Sequence, residues 1–389
     1  MKRILNVAIH ELGTVLRHRN LLVFMVILPF LLFWFFGDFM KTGVVRNLPV
    51  AIVDNDNSAT SRQLIANLEA TPELKVTHNP ASKREAERLV QSTETYGFVI
   101  IPQNFERDLR LAKQPVIISE LNNSLLIPAG LEGRAVRSAV GTVSSAIQLQ
   151  AQLANGNTVR QAWKNLQPVR LMAHTLSNPY VNYKYYMVPG FLLVFLQIFV
   201  MMSSVYILGL NLKYDTAEKL LKIGGNDLKI ILFGKLLPHT LWFFLLGLVI
   251  HLSIFDLLDY PLFGNRVILL LALFLLIVST QAFALVFVAT SNSLREAMTK
   301  GNAVAALSLS LSGLTFPIMG MPVFFQWFAQ IFPFTHYFQI LLAETQRNIP
   351  SFYIIPKLAV LMVMTVLLLW YGGIKYQQLL LKGKYATAA

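Results

Sequence analysis

The sequence predicts a polytopic α-helical membrane protein: six transmembrane helices, with an extracytoplasmic α/β domain inserted between the first and second spans. Three observations predict it. Of the 389 residues, 55% are hydrophobic and only 14% charged, against roughly 25% charged in soluble domains; mean hydropathy is +0.54. Six apolar stretches approach the about 20 residues that a helix needs to cross a bilayer. Between the first two lies a segment of about 140 residues, enough for a domain core, in which strand and helix signals alternate.

The chain opens on a basic segment, residues 1–20. Ile4, Leu5, Ala8, Ile9, Leu12, Val15 and Leu16 recur at helical spacing, and Lys2, Arg3, Arg17 and Arg19 take the polar face. This predicts an amphipathic helix lying on the membrane surface. A signal peptide is the alternative, but no A-x-A-like site follows Met40. The spans are expected at 21–40, 187–210, 236–255, 267–290, 303–321 and 354–371.

Charge orients them. Lys2, Arg3, Arg17 and Arg19 precede the first span. Lys213, Lys219, Lys222, Lys229 and Lys235 lie between the second and third, Arg295 and Lys300 between the fourth and fifth, and Lys375, Lys382 and Lys384 follow the sixth. Six spans put all four groups on one side. The loop between the third and fourth spans carries Asp256, Asp259 and only Arg266. The excess of Lys and Arg on cytoplasmic loops therefore places both termini, including the tail 377–389, in the cytoplasm. It also accounts for much of the net charge of +13 without a nucleic-acid partner. Without Cys, disulfides, thiol catalysis and Cys-ligated zinc are excluded.

Residues 41–184 then lie outside. Strands are expected at "PVAIV", "LKVTH", "GFVII" and "PVIISEL", and helices after Ser58, after Ser82 (with Glu85 at capping-box spacing) and after Asn104. A long helix from Pro128 to about Ala154 and a second over 159–166 read as a stalk leading back to the membrane at "NPYVNYKYYMVPG", whose tyrosines suit an interfacial belt.

Four stretches invite chemistry. Asp54-x-Asp56-x-Ser58 is not a calcium loop of EF-hand type, because Ala59 and Ile65 stand where Gly and Glu are required. The pattern is similar to haloacid-dehalogenase-like phosphatases, with Asp54 as nucleophile and Asp56 as acid/base, but no obvious acidic pair follows. The simpler reading is an Asx-rich turn with Ser58 capping the next helix. No G-x-x-x-x-G-K-[ST] loop is present, so any ATPase belongs to another chain. The segment 211–238 predicts a short helix with Leu212, Ala217, Leu220, Leu221 and Ile223 on one face and Asp215, Glu218, Lys219 and Lys222 on the other. Gly224-Gly225 stops it, and Asn226 or Asp227 starts the next. It is either a solvated surface helix or one that docks on a cytoplasmic partner. Finally, Gln197, His239, His251, Gln281 and the stripe Ser308, Ser310, Ser312 fall in or near the spans. Such groups serve helix packing or line a pathway; Gln197, Gln281, Ser308 and Ser312 are the pathway candidates. No carboxylate lies deep in a predicted span. Pro317, Pro322 and Pro333 break the apolar pattern and predict a re-entrant or interfacial hairpin over 322–345, on the outer side, before the last span.

In this order the pieces resemble a permease subunit of the ABC transporter type-2 family, of the kind with a large extracytoplasmic domain found in bacterial multidrug-type exporters. "LPVAIVDNDNSATSRQL" is similar to the opening of that domain, through Val53, Asp54, Asp56, Ser58, Ser61 and Arg62. Gly97, Ile101, Pro102 and Phe105 match its next segment. Val188-Pro189-Gly190 resembles the start of the second span, and Gly234, Lys235 and Pro238 match a Gly-Lys-x-x-Pro run leading into the third. Met321-Pro322 and Pro333 match the C-terminal hairpin. The family's cytoplasmic loop often carries an Arg-Glu-x-Glu-x-Gly-Thr-like run; here "LKYDTAEKLLKIGG" keeps Glu218, with Asp215 as a substitute.

The resemblance implies a permease in the bacterial inner membrane that exports a hydrophobic or amphiphilic substrate. It further implies pairing with an identical or homologous permease, a separate ATPase subunit that carries ATP and magnesium, and an adaptor protein at the periplasmic side. No cofactor or metal is expected on this chain. Coupling to the ATPase falls, on this reading, to residues 211–228, with Tyr214, Asp215, Glu218, Lys219, Leu220, Lys222 and Gly224. Two other classes fit the residues: a membrane-anchored sensor or scaffold, and a membrane phosphatase using Asp54 and Asp56.

Overall fold

The computed structural model describes residues 2–39, 45–111, 113–124, 126–166, 182–347, 349–383 and 385. The chain divides into two compact units, residues 44–174 and the remainder. Residues 178–181 of the predicted tyrosine-rich return segment, Met40, Lys384 and residues 386–389 of the tail fall outside the described residues.

The chain begins with α1 (Lys2–Arg17). An apolar helix follows in three pieces: α2 (Arg19–Leu22), a π-helical turn Val23–Ile27, and α3 (Leu28–Phe39). The π turn has a covalent cause. Pro29 has no N–H to give the carbonyl of Met25, and the indole Nε1 of Trp242 donates to that carbonyl instead, at 2.9 Å.

The second unit contains β1 (Leu48–Asp54), α4 (Ala59–Glu69), β2 (Leu74–His78), α5 (Lys83–Gln91), β3 (Gly97–Ile101), α6 (Phe105–Arg110), β4 (Ile118–Leu121), α7 (Leu126–Ala154) and α8 (Val159–Leu166). The sheet order is β2-β1-β3-β4; β1 runs parallel to β2 and β3, and β4 is antiparallel to β3. Val50, Ala51, Ile52 and Val53 of β1 are all buried, as a strand covered on both faces requires. Val50, Ile52, Val99 and Ile101 pack with Leu64 and Leu68 of α4 and with Leu131, Ala135, Val136, Ala139 and Val143 of α7. Ala51, Val53 and Phe98 pack with Ala86 of α5 on the other face. The first half of the long helix expected as a stalk is thus a layer of the domain core.

Ser82 caps α5, accepting from the Glu85 amide at 3.3 Å, while Glu85 accepts from the Ala81 amide at 2.9 Å. Asn104, expected to cap α6, sits at φ 62 and makes no cap bond with its side chain. Asp56 takes that role from 50 residues away: its Oδ2 accepts from the Glu106 amide at 3.0 Å.

The first unit resumes with α9 (Tyr183–Lys213), α10 (Ala217–Gly224), α11 (Leu228–Leu252) with a π turn Ser253–Leu257, α12 (Arg266–Ala289), α13 (Leu294–Leu311), α14 (Val323–Ala329), α15 (Pro333–Leu342) and α16 (Ile355–Lys382). Among the described residues, four helices are long and apolar enough to cross a membrane: Lys184–Lys213, Leu228–Leu257, Arg266–Ala289 and Ile355–Lys382; Val23–Asp38 is a shorter apolar helix. The predicted spans at 187–210, 236–255, 267–290 and 354–371 fall on the four long ones, and 21–40 on the shorter. The stretch 303–321 differs. Its helix, α13, starts earlier because Ser293 accepts from the Glu296 amide at 3.1 Å while Glu296 accepts from the Asn292 amide at 2.9 Å. It ends at Ser312 because Gly313 adopts φ +92.

Helix α9 is the central pillar, packed against α3, α11, α12, α13 and α15. Pro189 leaves the Tyr185 carbonyl free, and Gln346 donates to it at 3.1 Å. Gly190 lets Leu314 and Phe338 close on α9, since a Cβ there would collide with Leu314. After α13, Pro322 precedes α14 and Pro333 opens α15. α14 exposes Val323, Phe324, Phe325 and Trp327, whereas α15 buries Phe334, Tyr337 and Phe338.

Glu132 of α7 is fully buried, and neither carboxylate oxygen has a partner among the described residues. Its side chain lies against Gly97, where any Cβ would strike Oε1. Burial pushes its carboxyl up to about 8 from an ordinary 4.5. Between those values the folded domain holds a proton that the unfolded chain has released. Stability should therefore fall as pH rises through that window, by at most about 1.4 kcal/mol per pH unit. Glu132→Gln should flatten the slope and raise the melting temperature near the alkaline end. Thermal melts of both full-length proteins across the window check this; equal slopes would show that another group titrates.

Candidate functional site

The candidate site is the end of the first unit where α1, α10 and the ends of α9, α11 and α16 meet. Helix α10 is held by its apolar side. Ala217, Leu220 and Gly224 are buried; Ala217 and Leu220 join a core with Val7, Leu212, Ile231, Tyr376 and Leu380, and Gly224 lies against Ile231. Gly225 ends the helix at φ +67 with the Arg3 guanidinium packed on it, and Asp227 starts α11, accepting from the Lys229 amide at 2.8 Å. The opposite side is open. Tyr214, Asp215, Glu218, Lys219 and Lys222 are exposed, with Glu218 and Lys222 paired at 2.6 Å. Of the predicted coupling residues, Leu220 and Gly224 are therefore anchors, and the other five form a charged surface.

Beneath α10 lies a buried charge. Lys235 is 0% exposed, inside an otherwise apolar turn of α11. Its ammonium donates to Glu11 of α1 at 2.5 Å and to the side-chain Oδ1 of Asn211 of α9 at 2.6 Å. Asn211 in turn donates from Nδ2 to the Thr216 hydroxyl at 3.0 Å, and Thr216 is the residue that opens α10. One polar chain thus links α1, α11, α9 and the start of α10. Burial alone would push the Glu11 carboxyl up; the Lys235 ammonium overcomes that and holds it below its ordinary value. Gly234 lets α1 approach, because a Cβ there would stand 2.5 Å from the Val7 Cβ and 3.0 Å from the Ile4 carbonyl oxygen.

This geometry corrects the reading of α1. Its protein-facing stripe is Val7, Glu11 and Val15, all buried. Leu5, Ile9 and Leu12 of the expected apolar face are more than half exposed. The helix has two working faces, one clamped on α11 and one apolar and open. A cavity of about 410 Å³ sits alongside, lined by Leu12, Met25, Pro238, His239 and Trp242.

The remaining predicted residues lie elsewhere. Gln197 accepts from Ser308 at 3.2 Å, joining α9 to α13, and Gln281 accepts from Thr240 at 2.8 Å, joining α12 to α11. Both are hydrogen bonds between helices of one chain. Ser312 is buried with its hydroxyl unpartnered among the described residues. In the second unit, Asp54 accepts from the Asp56 and Asn57 amides at 3.0 Å and from the Ser61 hydroxyl at 2.7 Å. Ser58 accepts from the Ser61 amide at 3.0 Å. Asp54 shapes a turn, Ser58 caps α4 and Asp56 caps α6. Pro102 directly follows β3. No group of three or more His, Cys, Asp or Glu that could hold a metal occurs among the described residues.

Sequence reasoning missed Glu11, Asn211 and Thr216. The signal that could have found them is Lys235 itself: a lysine inside "IILFGKLLPHTLWFFLL" needs an acid, and Glu11 sits among the buried positions of α1. It also missed Glu344, buried after α15. Glu344 binds the turn before α12, its carboxylate accepting from the Asn265 amide and its carbonyl from Phe263 and Gly264.

A family model described as "ABC-2 family transporter protein" matches residues 19–374. The linearmycin resistance permease protein LnrN of Bacillus subtilis (strain 168) is 28% identical to this chain over 164 residues, which is 42% of the chain and 41% of that protein. The match thus spans less than half of the relative's length.

Removing one partner of the buried pair should cost about 3–5 kcal/mol, because it strands the other charge, whereas replacing both by apolar groups should cost far less. Glu11→Leu and Lys235→Met singly should therefore lower the melting temperature in detergent more than the double variant does. Costs that simply add would show that the two groups do not act as a pair.

Proposed function

Because the chain belongs to the ABC-2 family of transporter proteins, we propose that it is the membrane-embedded permease of an ABC exporter and that the exposed face of α10 receives a separate ATPase. The observation that carries this reading is the contrast between the two sides of α10. A charged, solvent-facing side is backed by an apolar, interlocked one and tied by Thr216, Asn211, Lys235 and Glu11 to three other helices. A push on such a helix cannot be absorbed locally; it moves the ends of α9 and α11 together with α1.

ATP and magnesium belong to the motor subunit. Closure of a motor dimer on ATP favours one arrangement of the permease over another, which is a shift of population set by differential affinity. Six spans complete the permease if α2–α3 and α13 cross beside the four long helices. Both termini then face the cytoplasm of a bacterial inner membrane, with Lys213, Lys222, Lys229, Arg295, Lys300, Lys375 and Lys382 on the α10 side. The α/β unit lies outside, where it gates the exit or meets an adaptor protein.

A second copy, or a homologous permease, supplies the other wall of the pathway. Helix α13 supports this. It leaves Thr299, Asn302, Ala303, Ala306 and Ser310 exposed, a polar and small-residue face suited to another helix rather than to lipid. The cargo that fits an apolar pathway dotted with Ser and Gln is hydrophobic or amphiphilic, and the one relative named above is a resistance permease.

Exchanging the charges of α10 tests the docking surface. Glu218→Lys with Lys222→Glu keeps an exposed pair worth little to stability, so the fold should survive. The nucleotide-binding subunit that copurifies with wild type in mild detergent should be lost, or its ATPase activity should no longer respond to substrate. Unchanged copurification and stimulation would remove α10 from the docking surface. The absence of Cys makes the second test direct: Ala303→Cys or Ala306→Cys should give a disulfide-linked dimer on mild oxidation in membranes, whereas Ala359→Cys, on an exposed position of α16, should not.

A further inference from the structure

At the other end of α9 from the α10 junction lies a cavity of about 530 Å³, between the start of α9, the segment after α13, α15 and the start of α16. Its walls are mostly apolar, with Tyr186, Ile318, Phe338 and Ile354 among them. One wall is pinned: the Tyr186 hydroxyl donates to the carbonyls of Gly313 and Leu314 at 2.9 and 3.0 Å. Two polar groups on the lining that lack a partner among the described residues bear on what the cavity could bind. The Ser312 hydroxyl is wholly buried and unbonded. Lys357 is half-buried and enters no ion pair or side-chain hydrogen bond. The buried carboxylate that follows α15, Glu344, is already committed to the Asn265 amide.

Lys357 is also placed against its own helix. It stands in the first turn of α16, where the helix dipole favours an anion. A lone cation there, half-desolvated beside an apolar chamber, lacks the negative charge that both it and the helix end would stabilise. The chamber has the volume of a typical ligand site.

We propose that this cavity binds a single-chain anionic amphiphile, its chain between Ile318, Phe338 and Ile354, its acidic headgroup on Lys357 and the Ser312 hydroxyl. Either a resident anionic lipid or an anionic cargo molecule has this chemistry. The site rests on the permease reading only for its place in a membrane; binding is read on this chain alone, without any motor subunit. Its failure would therefore leave the exporter reading standing.

The test uses full-length chain in a non-ionic detergent, with dansyl-undecanoate as the fluorescent probe and laurate or dodecanol as competitor. Laurate should displace the probe at least tenfold better than dodecanol. Lys357→Gln should weaken probe and laurate about tenfold and leave dodecanol unchanged, and Ile318→Trp should abolish all three. Equal competition by dodecanol, or no effect of Lys357→Gln in protein whose melting temperature is unaltered, overturns the proposal. Native mass spectrometry separates the two sources. A fatty acid or a lysophosphatidylglycerol retained by wild type and lost from Lys357→Gln marks a resident lipid. Lipid-free protein that still binds laurate marks a site for cargo.

Discussion

An ammonium group cannot remain charged in an apolar interior unless another group meets it, and this chain has to satisfy one in the middle of α11. Lys235 is met by Glu11 and Asn211. Much of the first unit's architecture at that end follows from the need. α1 must lie across α11 for Glu11 to reach; Gly234 must lack a side chain for α1 to come that close; and Asn211 must end α9 at the right height, which leaves its amide free to hold Thr216 and so the start of α10. Replacing the pair by apolar side chains is often neutral or stabilising in other proteins. Its presence is best understood as register, because only one sliding position of α1 along α11 matches carboxylate to ammonium.

At two of the helix prolines, long-range side chains take up the carbonyl that proline leaves free. Trp242 answers for Pro29 and Gln346 for Pro189. Inside a bilayer no water is present to do so, and each repair fastens two helices that are far apart in sequence. The prolines look like defects in single helices and function as sockets between helices.

Much of the architecture was legible in the sequence because it rests on local signals. The four long apolar helices, the four strands, the Ser58 and Ser82 caps, the Asp227 start and the Gly225 stop depend on period, on capping side chains and on positive φ. What escaped depends on partners distant in the chain. Asp56 replaces Asn104 as the cap of α6 from 50 residues away. The inward face of α1 is Val7, Glu11 and Val15, because ion pairing outweighs the hydrophobic stripe that would otherwise choose the face. α13 was displaced because a capping box at Ser293 and Glu296 fixes its start among charged residues, where hydropathy alone places no span. Of the candidate site, the charged side of α10 was visible as composition; the polar chain beneath it was not, because each of its members looks ordinary in its own helix.

The Glu11–Lys235 contact spans 224 residues, and that separation has a consequence for biosynthesis. At elongation rates of about 5–20 residues per second, α1 emerges roughly ten to forty-five seconds before α11 exists. During that interval its glutamate has no lysine, and the apolar surface it presents is Leu5, Ile9 and Leu12. The whole α/β domain is therefore translated before the N-terminal helix can dock. Closure of the buried pair is a late event, and a nascent chain whose α11 sits out of register is left with an unmatched carboxylate and an undocked N-terminal helix.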